Sequence, residues 1–497
     1  MIALCGITYE LVIGTLSSYL LGSSVTQFSV TIGLFMAAMG LGSWASRFLE
    51  EDLPDRFVEV EIALALVGGL SVMGLFAAFS YTGAYRVAMV VSSLAIGTLV
   101  GLEIPILTRI VRTETTLKEA LASVLAWDYL GALVGSLLFP LVLLPTLGLV
   151  QVSVAMGLLN VAVALLAWRE FGSDLRRGRR LLVAGGAVAA ILALAFVFGG
   201  GLAASMEQRL YRDEVVLVRQ SPYQRIVVTR WRDDLRMYID GNIQFSSTDE
   251  HRYHEALVHP AMTSTADRSR VLLLGGGDGL GAREILRYPD VRELVIVDLD
   301  PAVTELAREL APLVRLNEGA LDDPRVRLIH EDAWTWLAAG RAPFGVVIAD
   351  LPDPNNAALA KLYSVPFYRM VRRVLAPGGL FVTQSTSPLA AADAFWCIHR
   401  TVEEAFCEGG PEPCERVRPY HALVPTFGDW GFQLASAGAS APLPAAPSMP
   451  TRFLDASAAR AMTLFPADMA ERDVRPSRLL DPVILRYYVS GWARTNG

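Results

Sequence analysis

Residues 271–300 read VLLLGGGDGLGAREILRYPDVRELVIVDLD, the pattern of a nucleoside-binding α/β unit. The run 271–274 is short and apolar, as a buried strand is. The Gly-rich turn 275–281, with Gly275 and Gly277 at its start, lets backbone approach a ligand closely, and 282–287 begins a helix whose N-terminus faces that turn. A second apolar run, 294–297, ends in Asp298. This acid lies 20 residues beyond Asp278, about the distance at which a carboxylate at the tip of the second strand meets ribose hydroxyls. Glycine turns also arise for purely structural reasons, so the turn alone is a weak signal and the weight comes from its surroundings.

Downstream, apolar runs at 326–329, 345–349 and 379–383 alternate with helical stretches at 302–311, 333–338 and 364–375. That alternation predicts a parallel sheet flanked by helices, a Rossmann-like fold of the class I methyltransferase type with ligands at the carboxyl ends of the strands. Upstream, 215–219, 225–230 and 236–239 are broken by polar residues, and Asp240-Gly241 is a turn signal. These predict a small antiparallel sheet, followed by a helix over 250–260, EHRYHEALVHP.

The chain before Gly199-Gly-Gly201 is of another kind. Apolar segments near 1–22, 27–47, 57–81, 84–108, 119–144, 147–168 and 181–203 approach the ~20 residues needed to cross a bilayer, so about seven transmembrane helices are expected. A signal peptide does not explain seven successive segments. The first begins at Met1 with no flank and carries Glu10, which reads either as a truncated start or as an irregular helix. The expected organisation is a transmembrane domain over 1–205, a small β-strand domain over 206–265 and a Rossmann-like domain over 266–497.

Basic residues set the expected orientation. Arg47 and Arg56 fall between helices two and three, Arg109, Arg112 and Lys118 between four and five, and Arg169, Arg176, Arg177, Arg179 and Arg180 between six and seven; the intervening loops offer only Arg86. The positive-inside rule places those three loops in the cytosol and, with seven crossings, the polar half outside. Four acids, Glu10, Glu61, Glu103 and Asp128, fall at or near membrane depth. Carboxylates are expensive in hydrocarbon, so interhelical hydrogen bonding is expected of them, with a path for a cationic amine as the alternative. Gly40-Leu-Gly42-Ser43 and the pair Gly131 and Gly135 suit close helix packing.

Over all 497 residues the formal net charge is −7, and no Lys/Arg-rich block would track phosphates, so nucleic acid is not an expected partner. Four cysteines match no zinc spacing, and no metal site is expected. Cys407 and Cys414 are expected as free thiols, with pairing as the alternative if the polar half faces an oxidising compartment.

Each strand of the expected sheet ends in acidic or polar groups: Asp278, Asp298, Glu331-Asp332, Asp350-Leu-Pro-Asp353 and Gln384. Carboxylates converging on one edge repel one another unless the ligand is cationic, so the ligand is expected to be a positively charged nucleoside. GGGDG followed by RE, VDLD, HEDA, DLPDP and LYSVPFY resembles the spermidine synthase (aminopropyltransferase) family, as do SPYQRIVV, YIDGNIQFSSTDEHRYHEALVHP and VPTFGDWGFQLAS. The resemblance spans roughly 210–435, and with the N-terminal helices the chain resembles the bacterial membrane-integral branch.

The resemblance implies transfer of the aminopropyl group of decarboxylated S-adenosylmethionine to putrescine, with no prosthetic group. Asp278 is implied to bind the free amine of this cosubstrate, Asp298 its ribose and Asp332 the adenine amino group, with Gln224 and His254 helping to hold it. Tyr253 is implied to lie beside the aminopropyl path, Asp350 to take a proton from the attacking amine, and Asp353 to bind the amine substrate. Asp298 and Asp332 also have the alternative of capping helices, and Asp353 that of a turn residue. The expected partners are these small molecules, a bilayer of the bacterial inner membrane and a second copy of the chain. Two departures from the family bear on the amine: Leu351-Pro352 replace small hydroxyl residues, and Phe427 replaces a tyrosine. A methyltransferase using S-adenosylmethionine itself, and a polyamine transporter or sensor, are the competing readings. An exported active site also conflicts with a cosubstrate made in the cytosol.

Overall fold

The computed structural model describes residues 1–21, 24–112, 116–340, 343–407, 414–438 and 440–495. The chain divides into two compact units, Met1–Val215 and Val216–Gly497.

The first unit is helical: α1 (Ile2–Leu21), α2 (Ser24–Ala45), α3 (Leu53–Ala77), α4 (Tyr85–Val111), α5 (Leu117–Leu138), α6 (Leu144–Glu170) and α7 (Gly178–Glu207). Among the described residues there are six helices long and apolar enough to cross a membrane, one of them the 54-residue run Leu117–Glu170 that contains α5 and α6. Within that run Gly148 takes φ 75° and ψ 167°, a non-helical conformation open to glycine, and breaks the helix there. Glycines let neighbouring backbones meet: a Cβ on Gly42 of α2 would lie 2.1 Å from the Thr98 carbonyl of α4, and one on Gly135 of α5 3.1 Å from the Leu4 carbonyl of α1. Of the four acids, Glu61 is fully buried and accepts from Asn160 Nδ2 at 2.8 Å, while Asn160 Oδ1 accepts from Tyr9 at 3.1 Å. The hydrogen-bonding role therefore holds for Glu61, which ties α3 to α6 and α1.

The Arg-bearing connections meet at one end of this unit. Arg109 donates to the Ser46 and Leu49 carbonyls, and the buried Asp55 carboxylate accepts from the backbone N–H groups of Arg176 and Arg177.

The second unit opens with a four-stranded sheet, β1 (Glu214–Gln220), β2 (Arg225–Trp231), β3 (Asp234–Ile239) and β4 (Asn242–Ser246), in that order. Asp240 and Gly241, both at positive φ, make the two-residue hairpin turn between β3 and β4. Helix α8 (Glu250–Ser264) leads to the main layer: β5 (Arg270–Gly275), α9 (Leu280–Leu286), β6 (Glu293–Asp298), α10 (Pro301–Glu309), β7 (Val326–His330), α11 (Ala333–Ala338), β8 (Phe344–Asp350), α12 (Val365–Arg373), β9 (Leu375–Gln384), α13 (Ala392–Phe406), β10 (Val417–Val424) and β11 (Gly428–Ser436). The C-terminal helix is α14 (Val483–Thr495).

The main sheet has the order β10-β11-β9-β8-β5-β6-β7. The expected parallel sheet is confirmed only for β5 to β9; β10 and β11 extend it as an antiparallel hairpin, so the sheet is mixed. Alternation along β5 explains why its run is wholly apolar. Val271 and Leu273 enter the core on one face, and Leu272 and Leu274 enter the core on the other. Strand order reverses direction between β8 and β5, which opens a crevice at their carboxyl ends.

Cys407 and Cys414, expected as free thiols, are joined in a disulfide. The end of α13 and the approach to β10 bring their Cα atoms to 5.9 Å, within the span that a disulfide bridges.

Candidate active site

The crevice is built from the turn after β5, the tips of β6 and β8, and the face of α8. Gly275 has φ 79°, and a Cβ there would meet the Asp350 carbonyl at 2.0 Å; a Cβ on Gly277 would meet Asp298 Oδ2 at 2.6 Å. Glycine at these two positions is what allows the turn to press against both neighbouring strand ends. Asp298 in return accepts the Gly277 N–H at 2.9 Å and the Asp300 N–H at 3.0 Å. It is not the cap of α10; Asp300 is, accepting from Ala302.

Asp278 sits in the same turn, 9% exposed, with Oδ1 accepting the Leu280 N–H at 2.9 Å. Burial pushes its pKa up to about 6, against the opposing pull of the His254 cation, and the Asp350 charge adds to the rise. His254 is 2% exposed on α8. Burial disfavours its charged form, but Nδ1 lies 2.9 Å from a Glu250 carboxylate oxygen, and that pairing wins and lifts the ring to about 9. Glu250 also holds the Arg283 guanidinium with both oxygens, at 3.0 and 2.9 Å. Although burial opposes ionisation, His254 and Arg283 hold its carboxyl down at about 2. The crevice floor is therefore a buried charge network of Glu250, His254, Arg283 and Asp278.

Asp350 ends β8, and its Oδ1 accepts the Tyr253 hydroxyl at 2.7 Å. Tyr253 is fixed by edge contacts with His254 and Phe427, at centroid distances of 5.0 and 5.8 Å. The Leu351-Pro352 loop then carries Asp353, whose oxygens accept from Gln384 Nε2 at 3.1 Å and Thr386 Oγ1 at 3.2 Å. Burial raises Asp353 to about 6 despite these bonds and the opposing influence of the Tyr488 hydroxyl. Tyr363 braces the same loop by donating to the Leu351 and Pro352 carbonyls.

Two expected residues lie at the margins of this group. Asp332 caps α11 through the Thr335 N–H at 3.0 Å and takes the Lys361 ammonium at 2.8 Å. Burial alone would raise its pKa, but these partners lower it. Gln224 lies in the β1–β2 turn, which is tied to the β6 end of the sheet by Ser221 Oγ donating to Asp300 at 2.6 Å. Tyr253, His254, Asp278, Asp350 and Asp353 are thus linked by contact or charge, with Gly275, Gly277 and Asp298 framing the turn.

Glu250, Arg283, Tyr363, Thr386 and Tyr488 were not among the residues expected from sequence. Glu250 carried a usable signal, since it stands four residues before His254 on one helix face. For Tyr488, more than a hundred residues from Asp353, there was none.

Residues 250–443 match the Spermine/spermidine synthase domain. Over its full length the chain is 46% identical to a protein of Ralstonia nicotianae named Polyamine aminopropyltransferase 2, covering 99% of this chain and 96% of that one. It is 45% identical to Polyamine aminopropyltransferase 1 of Streptomyces coelicolor, covering 99% and 93%. The crystal structure of spermidine synthase from Thermotoga maritima aligns over 51% of this chain and 85% of its own, with 25% identity and a TM-score of 0.45.

Proposed function

The chain belongs to the polyamine aminopropyltransferase family, and from that premise we propose that it transfers the aminopropyl group of decarboxylated S-adenosylmethionine to putrescine, releasing spermidine and methylthioadenosine. The observation that carries this reading is the convergence of Asp278, Asp350 and Asp353 beside one Gly-rich turn, with Tyr253 holding Asp350. Two of the three, the buried Asp278 and the half-buried Asp353, are raised toward neutrality, a state that a cationic ligand relieves.

Asp278 is assigned to the donor's free ammonium and Asp298 to its ribose, since a carboxylate that accepts two N–H groups keeps lone pairs for hydroxyls. Asp332, with Gln224, serves the adenine end, and His254 is held charged to steady Asp278. The acceptor's remote ammonium pairs with Asp353. Its reacting nitrogen, which like a Lys side chain has a pKa near ~10.4, must lose a proton before it has a lone pair to use. Asp350 takes that proton. The nitrogen then forms a bond to the carbon next to the sulfonium, and the C–S bond breaks with its electron pair passing to sulfur. Holding both reactants in line supplies much of the acceleration. Asp278 separates this from methyl transfer: the carboxylate of intact S-adenosylmethionine would lie against a buried negative charge.

The test is to incubate the purified protein with putrescine and decarboxylated S-adenosylmethionine and measure methylthioadenosine. Methyl transfer from the intact cosubstrate, with no methylthioadenosine from any diamine, overturns the reading.

The helical unit is assigned seven crossings of the bacterial inner membrane, α5 and α6 crossing separately, with the break at Gly148 near the start of α6. Three Arg-bearing connections at one end support a cytosolic position for that end. An odd number of crossings then puts the chain that follows α7 on the opposite face, a placement that requires the cytosolic cosubstrate to reach that face. Protease added to intact spheroplasts should cleave a C-terminal tag; a tag protected until lysis places the catalytic unit in the cytosol instead.

A further inference from the structure

The acceptor end of the crevice is closed by a part of the chain outside the matched synthase domain. Helix α14 begins 40 residues after position 443, where that match ends. Its first turn is anchored in the core by Val483 and Ile484, both buried. Gly491 lets the helix lie directly on the start of α13, since a Cβ there would come within 2.8 Å of Ala391 Cα. That seat brings two aromatic side chains to the amine-binding acid. Trp492 Nε1 donates to Thr386 Oγ1 at 3.3 Å, and the Tyr488 hydroxyl beside it interacts with the Asp353 carboxylate, favouring its ionised form against burial. Thr386 is itself held at φ 54°, an unusual backbone conformation for a non-glycine, and its hydroxyl faces Asp353. The Trp492 ring lies 6.3 Å from Trp430 and 6.2 Å from Tyr488, which makes a continuous aromatic wall past the acid.

Resting on the aminopropyl-transfer reading above, we propose that α14 is the specificity element for the acceptor: Tyr488 positions Asp353 for the remote ammonium of a short diamine, and Trp492 bars amines that extend beyond it. The chemistry of the site calls for such an element. Leu351-Pro352 and Phe427 carry no hydroxyl, so Asp353 takes the donors that orient its carboxylate from outside its own loop, Gln384 and the Trp492-contacted Thr386 among them. The Tyr488 hydroxyl on α14 adds to this set by favouring the ionised Asp353. A triamine that places its first ammonium on Asp353 would carry its second aminoalkyl arm against the Tyr488–Trp492 wall. Tyr488 acts through Asp353 and is a positioning residue; Trp492 is a steric stop.

The experiment uses the full-length protein in detergent and measures methylthioadenosine release with putrescine and, separately, spermidine as acceptor. Tyr488→Phe should raise the KM for the diamine about tenfold while kcat stays within about twofold, the loss of one hydroxyl interaction with a charged group. Trp492→Ala should raise kcat/KM for the triamine relative to the diamine by about tenfold. Gly491→Leu, which pushes the whole helix off α13, should show both changes together. Methylthioadenosine affinity should be unchanged in all three, because the nucleoside end of the crevice is untouched. Wild-type KM and wild-type triamine-to-diamine ratio in Tyr488→Phe and Trp492→Ala overturn the inference. So does a parallel loss of kcat, KM and methylthioadenosine affinity, which would make α14 a structural prop. A wild-type protein inactive with every amine removes the aminopropyl-transfer premise and this inference with it, whereas an active wild type with indifferent variants removes only the inference.

Discussion

Replacing Asp278 with asparagine should weaken cosubstrate binding and strengthen the fold at the same time. In the native protein the Asp278 carboxyl is raised from 3.8 to about 6, chiefly by burial. A carboxyl so raised binds more protons folded than unfolded between pH 3.8 and 6, so stability falls as pH rises through that window. At neutral pH the ionised group burdens the fold by about 3 kcal/mol, taking 1.36 kcal/mol per pKa unit. Asparagine keeps an oxygen for the Leu280 N–H and removes the charge, so Asp278→Asn should raise the midpoint of thermal unfolding and abolish this part of its pH dependence. Binding moves the other way. A hydrogen bond to a charged group is worth about 1.5–3 kcal/mol, so the Kd for decarboxylated S-adenosylmethionine should rise about 10- to 150-fold. Methylthioadenosine lacks the aminopropyl ammonium and is the internal control. Titration calorimetry should find its affinity unchanged in the variant and flat across pH 5–8 in the native protein, whereas cosubstrate binding should fade below pH 6. Equal losses for both ligands would show that asparagine had disturbed the turn, and no loss for either would show that Asp278 does not meet the ammonium. Either result refutes the assignment.

Asp350→Asn should reduce kcat by about 10²- to 10⁴-fold, the usual contribution of a general base, with methylthioadenosine binding kept; retained turnover would mean that another group takes the proton. Glu250→Gln leaves Arg283 and His254 without their shared anion, and breaking a buried pair of this kind costs about 3–5 kcal/mol. It should lower the thermal midpoint sharply, and histidine NMR should show the His254 ring titrating well below about 9, because burial is then opposed only by the Asp278 and Asp350 charges. Asp353, raised to about 6 by burial, must be ionised to hold an ammonium, so the KM for putrescine should climb as pH falls below 6. A KM flat down to pH 5 would place the amine elsewhere.

What the sequence disclosed about this site follows from how each side chain is positioned. Asp278, Asp298, Asp350 and Asp353 stand at or just beyond strand ends or inside a glycine turn, so the local backbone alone delivers them to the carboxyl edge of the sheet. Their pattern is readable because a run such as 271–274 must be apolar on both faces and must stop where the edge begins. The strands β10 and β11 are less legible for the opposite reason: His421, Asp429 and Gln433 interrupt their apolar alternation, and these side chains find partners only across the folded hairpin, His421 with Asp429, or from α13, Gln433 with His399. Cys407 and Cys414 were seven residues apart in either state, and only the directions of α13 and β10 bring them within bonding distance. Tyr253 is an intermediate case, since its place on α8 beside His254 was legible, but its bond to Asp350 spans 97 residues. Tyr488 lies beyond any local signal, because an amphipathic C-terminal helix with tyrosine and tryptophan on one face reads the same whether that face meets a core or a substrate. The acids assigned to the cations are therefore encoded locally, while Thr386 and Tyr488, which adjoin Asp353, are delivered by tertiary packing. Acceptor choice can then change through residues such as Tyr488 and Trp492 while the motif 275–281 and the acids around it stay as they are.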